Sequence, residues 1–536
     1  MSCWNIAEAV YLLGESETAD NPALIHDREV ISYRELRRRA CGIAAYLLEQ
    51  GLPHGAHVGH YMRNSNAYME SFVGSGLAGL SHLNVNYRYQ DEELLDLCNG
   101  LDIQVLIFDA EFADRVQRIK DQFKYPCLLI QVGGDAPTTL ESLYDWPQGN
   151  FKRRTSSDDL MLVATGGTTG LPKGVQWRHE DIWRKQNVST GVAMAPLGLE
   201  AQPDTIEEHV ANVAKLPPSG AFLTLSPLMH GAGLLMAILL LVQGTAIATI
   251  GGERFDPDAT LEGIKYWKMS SMVLVGDAFA LPLVDALDKR PDEGLIDSLL
   301  MLVSSGASLS SSCSERLLKH KPGLIVFDTL GSTESSGYAM STAEAGVFIP
   351  NPTTRVLNDK FQEIEPGSDE IGIAYSAGYL PLGYYNAPEQ TAETFVTIEG
   401  QRYVRTGDRC TVREDGMLVL LGRDSTVVNT GGEKVYTVEV ERVLLEYPAI
   451  SDVIVVGLPH PRFGKQVAAV IEGPDLDGDS AEVEAIQQFA REKLADYKVP
   501  RVIITIDSLR RAPNGKPDYP FVNSYAQEQA QAKGLV

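Results

Sequence analysis

The stretch Leu160-Met161-Leu162-Val163-Ala164-Thr165-Gly166-Gly167-Thr168-Thr169-Gly170-Leu171-Pro172-Lys173-Gly174 decides the fold. Its first five residues form an unbroken apolar run, the pattern of a short strand buried on both faces. The following ten hold four glycines and three threonines, which leave the backbone free to bend and expose N–H groups and hydroxyls. A run of such donors after a buried strand can wrap an oligophosphate, with Lys173 adding a point charge. The loop is not a Walker A motif, because Lys173 is followed by Gly174 instead of Ser or Thr. A surface linker rarely follows a buried strand so tightly.

The same alternation extends on both sides of the loop. Residues 33–50 carry Leu36, Ala40, Ile43, Ala44 and Leu47 on one helical face. Short apolar runs at 104–108, 223–225, 245–250, 272–275, 300–303 and 324–327 predict further strands. Strand, loop and helix in succession predict an α/β architecture. The run 232–242, about eleven apolar residues against the about twenty needed to span a bilayer, predicts a buried helix. The polar segment 201–215 is expected to be an insertion or mobile loop. Gly74-Ser75-Gly76-Leu77-Ala78-Gly79 matches a dinucleotide fingerprint only literally, because 66–73 before it reads as helix and not strand. Close helix packing is the expected use of these glycines.

The pattern changes near residue 420. Residues 416–421 close a strand-rich region, and Gly422-Arg423-Asp424-Ser425 reads as a polar hinge. Beyond it, helices are expected at 437–446 and 481–494 and strands at 453–456 and 466–472. The division expected is a large multi-subdomain α/β domain over 1–422, a hinge at 423–425 and a small mobile α+β domain over 426–536. The length of 536 residues requires more than one core.

A formal net charge of −25 argues against nucleic acid or an anionic membrane as a bulk partner, so phosphate must be held by a local device. Cys3, Cys41, Cys98, Cys127, Cys313 and Cys410 include no C-x-x-C pair, which excludes the usual zinc and disulfide frameworks and fits reduced thiols in the cytoplasm. The first residues lack the basic and apolar regions of a signal peptide.

At residues 165–174 the chain resembles the adenylate-forming superfamily, which includes acyl-CoA synthetases, adenylation domains of peptide synthetases and beetle luciferases. The family's other stations follow in order. The resemblance implies that Thr165, Gly166, Gly167, Thr168, Thr169, Gly170 and Lys173 bind ATP phosphates. It implies that His230 and Gly231, in Pro227-Leu228-Met229-His230-Gly231, adjoin the acyl carboxylate. Gly306, Ala307 and Ser308 would flank adenine. In Asp328-Thr329-Leu330-Gly331-Ser332-Thr333-Glu334, Asp328, Thr329, Leu330, Gly331 and Thr333 would line the nucleotide, with Thr333 on the α-phosphate, and Glu334 would hold Mg²⁺. Leu330 stands where the family has an aromatic residue, so adenine would pack on an aliphatic side chain. Asp408 and Arg423 would hold the ribose. Ser425 is the implied pivot, where many members have Asp or Lys. Gly431, Gly432 and Lys434 would line the CoA tunnel, and Lys516, in Pro513-Asn514-Gly515-Lys516, would act in adenylation.

Trp177-Arg178-His179-Glu180-Asp181-Ile182, Gly276-Asp277-Ala278 and Gly431-Gly432-Glu433-Lys434-Val435-Tyr436 are similar to bacterial fatty-acid and steroid side-chain CoA ligases. The acyl pocket implied includes His230, Gly231, Gly276, Asp277, Gly331 and Ser335. The function expected is ATP-dependent ligation of a fatty or steroid side-chain acid to CoA, with AMP and pyrophosphate released. An acyl-AMP ligase that loads a carrier protein is the alternative, and a nucleotide-binding pseudoenzyme a remoter one. A homodimer is left open.

Overall fold

The computed structural model describes residues 3–534 apart from 150, 166–171, 195–201, 218–219, 307–308, 343, 345, 424–425, 431–432, 461–463, 474–479, 512–514 and 516. The fold is α/β, with a large N-terminal domain built on two sheets and a small C-terminal domain on a third.

The first sheet has seven strands in the order Gly383–Tyr384, Lys173–Arg178, Leu160–Thr165, Ser81–Asn84, His57–Tyr61, Ile103–Asp109 and Leu128–Val132. Its last five strands run parallel. Helices cover both faces of such a sheet, so its strands are apolar throughout: Val105, Leu106 and Ile107 are all fully buried. Helix Tyr33–Glu49 packs on helix Asn66–Leu77, as the glycine pattern predicts. A Cβ on Gly74 would lie 2.7 Å from Ile43, and one on Gly76 would lie 2.7 Å from Ala7 of helix Ile6–Leu13. Gly74 and Gly76 thus serve close helix contact.

The second sheet changes character along its length. Strands Pro22–His26, Ile247–Thr249, Phe222–Thr224, Ser271–Leu274, Met301–Ser305 and Ile325–Ser332 are parallel. From Ser336–Ser341 onward, through Val347–Pro350, Leu418–Arg423, Gln401–Val412, Gly372–Ser376 and Thr354–Leu357, each neighbour is antiparallel. Ile325–Ser332 is therefore the strand where parallel pairing gives way to antiparallel, and ligands of open α/β sheets lie outside the carboxyl ends of the parallel strands.

The third sheet is built on the long hairpin of Asp452–His460 with Gly464–Glu472. Val453 and Val455 face helices Thr437–Leu444 and Ser480–Arg491, while Ile454 and Val456 face helix Tyr519–Ala532. Burial on both faces explains the continuous run Val453–Val456. The last strand of the second sheet ends at Arg423 and the first of the third begins at Val428.

One expectation fails. The segment 201–215 contains helix Ile206–Val213, capped by the Thr205 hydroxyl, which accepts the Glu208 N–H at 3.2 Å. Ile206, Val210 and Val213 are buried, at helical spacing that Glu207 and Glu208 obscure in the sequence. His209 Nε2 lies 2.9 Å from the Val242 carbonyl, and its ring meets Trp183 edge-on. The apolar run appears as expected in helix Gly231–Val242. Among the described residues no helix is long and apolar enough to cross a membrane. All six cysteines are free thiols.

Candidate active site

Strands Leu160–Thr165 and Lys173–Arg178 form an antiparallel hairpin in which Thr165 faces Lys173. The chain thus leaves and returns at one point on the sheet. Gly166, Gly167, Thr168, Thr169 and Gly170 lie outside the described residues. Asn84 fixes the root of the loop: its Oδ1 accepts the Ala164 N–H at 2.7 Å, and its Nδ2 donates to the Ala164 carbonyl at 3.2 Å.

The same Asn84 amide donates to the Met229 carbonyl and so joins the hairpin to the Pro227–His230 turn. Asn64 Oδ1 accepts the Leu228 N–H at 2.7 Å, and the Tyr68 hydroxyl donates to the Leu228 carbonyl at 3.1 Å. Three side chains of the first sheet's layer therefore hold the turn that presents His230. Gly231 opens the next helix, and a Cβ there would sit 3.3 Å from Thr333 Oγ1. Glycine leaves the Thr333 hydroxyl uncrowded.

Thr333 and Glu334 occupy the tip of the hairpin between Ile325–Ser332 and Ser336–Ser341. Gly331 is obligatory, because a Cβ would lie 2.4 Å from the Ser336 carbonyl oxygen. Ser335 is fully buried, and its hydroxyl bridges Ser332 Oγ at 3.0 Å and the Ser336 carbonyl at 3.1 Å. Two partners from the first sheet grip the tip. Trp177 Nε1 donates to the Thr333 carbonyl at 2.9 Å, and the Tyr384 hydroxyl donates to Glu334 Oε1 at 2.7 Å. Lys173 Nζ lies 5.0 Å from the centroid of the same Tyr384 ring, within cation–π range. Lys173, Thr333, Glu334 and Gly231 are thus gathered at one place, where the two sheets meet.

Asp408 and Arg423 face each other across neighbouring strands, with Arg423 Nε 3.0 Å from Asp408 Oδ1. Tyr338, fully buried, donates its hydroxyl to Asp408 Oδ2 at 2.5 Å. Burial and then the Asp408 charge hold the Tyr338 phenol well above its ordinary pKa, so it remains a donor. The Asp408 charge likewise raises the pKa of Arg423. A carboxylate aligned in this way retains lone pairs for a diol.

Gly306 ends strand Met301–Ser305 with φ +95°; Ala307 and Ser308 lie outside the described residues. Two half-buried acids stand beside this segment. Asp277 Oδ1 accepts the Ser310 N–H at 2.8 Å, and Asp328 Oδ1 accepts the Thr329 N–H at 2.9 Å. Burial raises the pKa of Asp277 and pushes Asp328 up to about 7. Gly276, at φ +51°, donates its N–H to Ser304 Oγ at 3.2 Å. Thr329 Oγ1 donates to the Ser304 carbonyl at 3.2 Å. Leu330 packs on the cluster of Tyr338, Ala374 and Cys410.

Ser425, Gly431, Gly432 and Lys516 lie outside the described residues. The Lys434 backbone pairs with Asn429 in the third sheet, and its side chain is outside the description too. Among the described residues no group of three or more His, Cys, Asp or Glu side chains could hold a metal. Trp177, Tyr384, Tyr338 and Asn84 are the contacts that sequence reasoning did not assign to the site. A buried tyrosine or tryptophan needs a polar partner, but nothing local says which one.

The AMP-binding enzyme family matches residues 15–385, and its C-terminal domain matches residues 439–516. A medium/long-chain-fatty-acid–CoA/3-oxocholest-4-en-26-oate–CoA ligase of Mycobacterium tuberculosis is 36% identical over 533 residues, covering 96% of this chain and 94% of that one. A 3-oxocholest-4-en-26-oate–CoA ligase of Rhodococcus rhodochrous is 34% identical, covering 93% and 91%. Among solved structures, the anthranilate CoA ligase AuaEII with anthranoyl-AMP superposes with a TM-score of 0.81 at 20% identity, covering 99% of both chains. ATP-bound MatB of Rhodopseudomonas palustris gives 0.80 at 22% identity, covering 99% and 100%. This chain belongs to the AMP-binding enzymes.

Proposed function

We propose that this protein activates an apolar carboxylic acid, a medium- or long-chain fatty acid or a steroid side-chain acid, and passes it to CoA. It is an AMP-forming acyl-CoA ligase whose substrates are ATP, CoA and the acid. A free carboxylate is a poor acyl donor to a thiol. Its oxygen attacks the α-phosphorus of ATP, pyrophosphate leaves, and the mixed anhydride then yields its acyl group to the CoA thiolate as AMP departs. The observation that carries the site assignment is the hairpin tip Thr333–Glu334, gripped by Trp177 and Tyr384 beside Lys173.

Each residue has a role in this reading. Thr333 donates to the α-phosphate, and Lys173 with the Thr165–Gly170 loop holds the outer phosphates. Asp408 and Arg423 take the ribose. Gly306, Ala307, Ser308, Asp328, Thr329, Leu330 and Gly331 border the nucleotide. His230, Gly231, Gly276, Asp277, Gly331 and Ser335 border the acyl group. Lys516 neutralises charge on the carboxylate and α-phosphate during adenylation. Rotation about Ser425 then withdraws Lys516 and brings Gly431, Gly432 and Lys434 to the pantetheine arm. Glu334 fits Mg²⁺ as a cation that enters with ATP, since such sites use one or two carboxylates completed by phosphate oxygens and water. When bound, Mg²⁺ neutralises phosphate charge. The enzyme acts in the cytoplasm, where ATP and CoA are supplied.

The test is AMP and pyrophosphate release with acetate, octanoate, palmitate, an aromatic acid and a steroid side-chain acid, each with and without CoA. CoA-dependent AMP formation and a thioester product, best with octanoate, palmitate or the steroid acid, are expected. Pyrophosphate release that CoA does not accelerate would replace this reading with a carrier-protein ligase.

A further inference from the structure

We propose that Arg511 is a positioning residue that fixes the Gly515 backbone immediately before Lys516; the inference rests on the adenylation role given to Lys516 above. The Arg511 guanidinium joins two parts of the small domain. Its Nε and Nη2 donate to the two carboxylate oxygens of Asp452 at 2.5 and 2.7 Å, and Nη2 also reaches the Val453 carbonyl at 3.3 Å. From its other edge, Nη1 donates to the Gly515 carbonyl at 3.2 Å. Gly515 is the residue before Lys516, is buried, and has φ +68°.

The far end of this tie is stiff. Asp452 and Val453 open the strand Asp452–His460, paired with Gly464–Glu472 along its whole length. Asp452 Oδ1 also accepts the Val453 N–H at 2.8 Å, so the carboxylate is itself oriented. Glu441, half-buried next to the pair, accepts the Val455 N–H at 2.8 Å, and desolvation pushes its carboxyl up to about 7. On the other side of Lys516, Asp518 caps helix Tyr519–Ala532 by accepting the Phe521 N–H at 3.0 Å. The chain is therefore tied to the domain body one residue before Lys516 and two residues after it. A planar fork can bond two groups on different edges at once, which a lysine ammonium does only in part. A long flexible lysine side chain acts at a fixed point only if its backbone is held, and an ångström of misplacement at a reacting centre costs up to about 100-fold.

The experiment uses the full chain and the best acid of the panel. Variants Arg511→Gln, Arg511→Lys, Asp452→Asn and Lys516→Ala, with the double variant Arg511→Gln/Lys516→Ala, are assayed for ATP–pyrophosphate exchange and for thioester formation from supplied acyl-adenylate. Arg511→Gln and Asp452→Asn are expected to slow exchange about 10- to 100-fold while thioester formation stays within about twofold. Arg511→Lys falls between, and Arg511→Gln costs nothing further once Lys516 is Ala. Equal losses in both half-reactions, or the same loss with and without Lys516, would make Arg511 merely structural and overturn the proposal. Undiminished exchange in Lys516→Ala would instead refute the assignment of Lys516, and the proposal with it. If Arg511→Gln fails to fold, Arg511→Lys and Asp452→Asn carry the test.

Discussion

Replacing Tyr338 by Phe removes one atom from the Asp408–Arg423 pair, the proposed ribose contact, and leaves the ring in its core. The hydroxyl lies 2.5 Å from Asp408 Oδ2 and is sealed from water, while Arg423 keeps the other oxygen. A hydrogen bond to a charged acceptor contributes about 1.5–3 kcal/mol, so Tyr338→Phe should lower the unfolding free energy by that amount. The kinetic signature follows from where the carboxylate acts. A ribose contact is the same in the ground state and the transition state, so its loss raises KM for ATP and leaves kcat unchanged. If the whole lower bound is felt by the nucleotide, KM rises about tenfold, since about 1.4 kcal/mol is one decade. The assay is ATP-dependent AMP release beside denaturant unfolding. Tyr385→Phe is the control, because its hydroxyl meets Asp102 at 3.0 Å and not the Asp408–Arg423 pair. Unchanged KM and stability in Tyr338→Phe, or a fall in kcat at constant KM, would refute the reasoning.

Other perturbations test different parts of the account. Gly331→Ala forces a Cβ to 2.4 Å from a backbone oxygen, and should cost about 1–3 kcal/mol and displace Thr333 enough to abolish most AMP formation. Gly74→Ala should destabilise by a similar ~1–3 kcal/mol, seen in thermal unfolding, with KM for ATP unchanged, because it only spreads two helices. His179 gives a pH signature: its Nδ1 accepts the Ile6 N–H at 3.2 Å, and burial lowers its pKa to about 4. Between about pH 6.5 and 4 the unfolded chain binds a proton there that the folded chain does not, so stability falls as pH falls. His179→Gln removes that uptake, and its stability relative to the natural chain should improve by about 1.5 kcal/mol from pH 6.5 to 5 in urea unfolding.

The elements read most readily from sequence are those whose neighbours are local. The strand before residue 166, the helix after His230 and the change of sheet after Arg423 each carry an apolar period and a glycine or polar stop in one window. The glycines at 74 and 76 were legible because the preceding period was helical. What stayed hidden depends on pairing across the chain. Tyr384 meets Glu334 from fifty residues away, and Trp177 meets Thr333 from 156. Neither residue differs locally from an ordinary core aromatic. The helix Ile206–Val213 was hidden for another reason: of its five buried residues two, His209 and Asn212, are polar, and its flanks are polar. Arg511 is one of two adjacent arginines, and only the fold gives it both Asp452 and Gly515.

The most direct test of carboxylate activation at phosphorus follows an oxygen atom. The preferred acid, labelled with ¹⁸O in both carboxylate positions, is converted to its CoA thioester with unlabelled ATP, and the products are weighed by mass spectrometry. Attack on the α-phosphorus predicts one ¹⁸O in the phosphate of AMP and unlabelled pyrophosphate. Unlabelled AMP, or label released in inorganic phosphate beside ADP, would contradict the account.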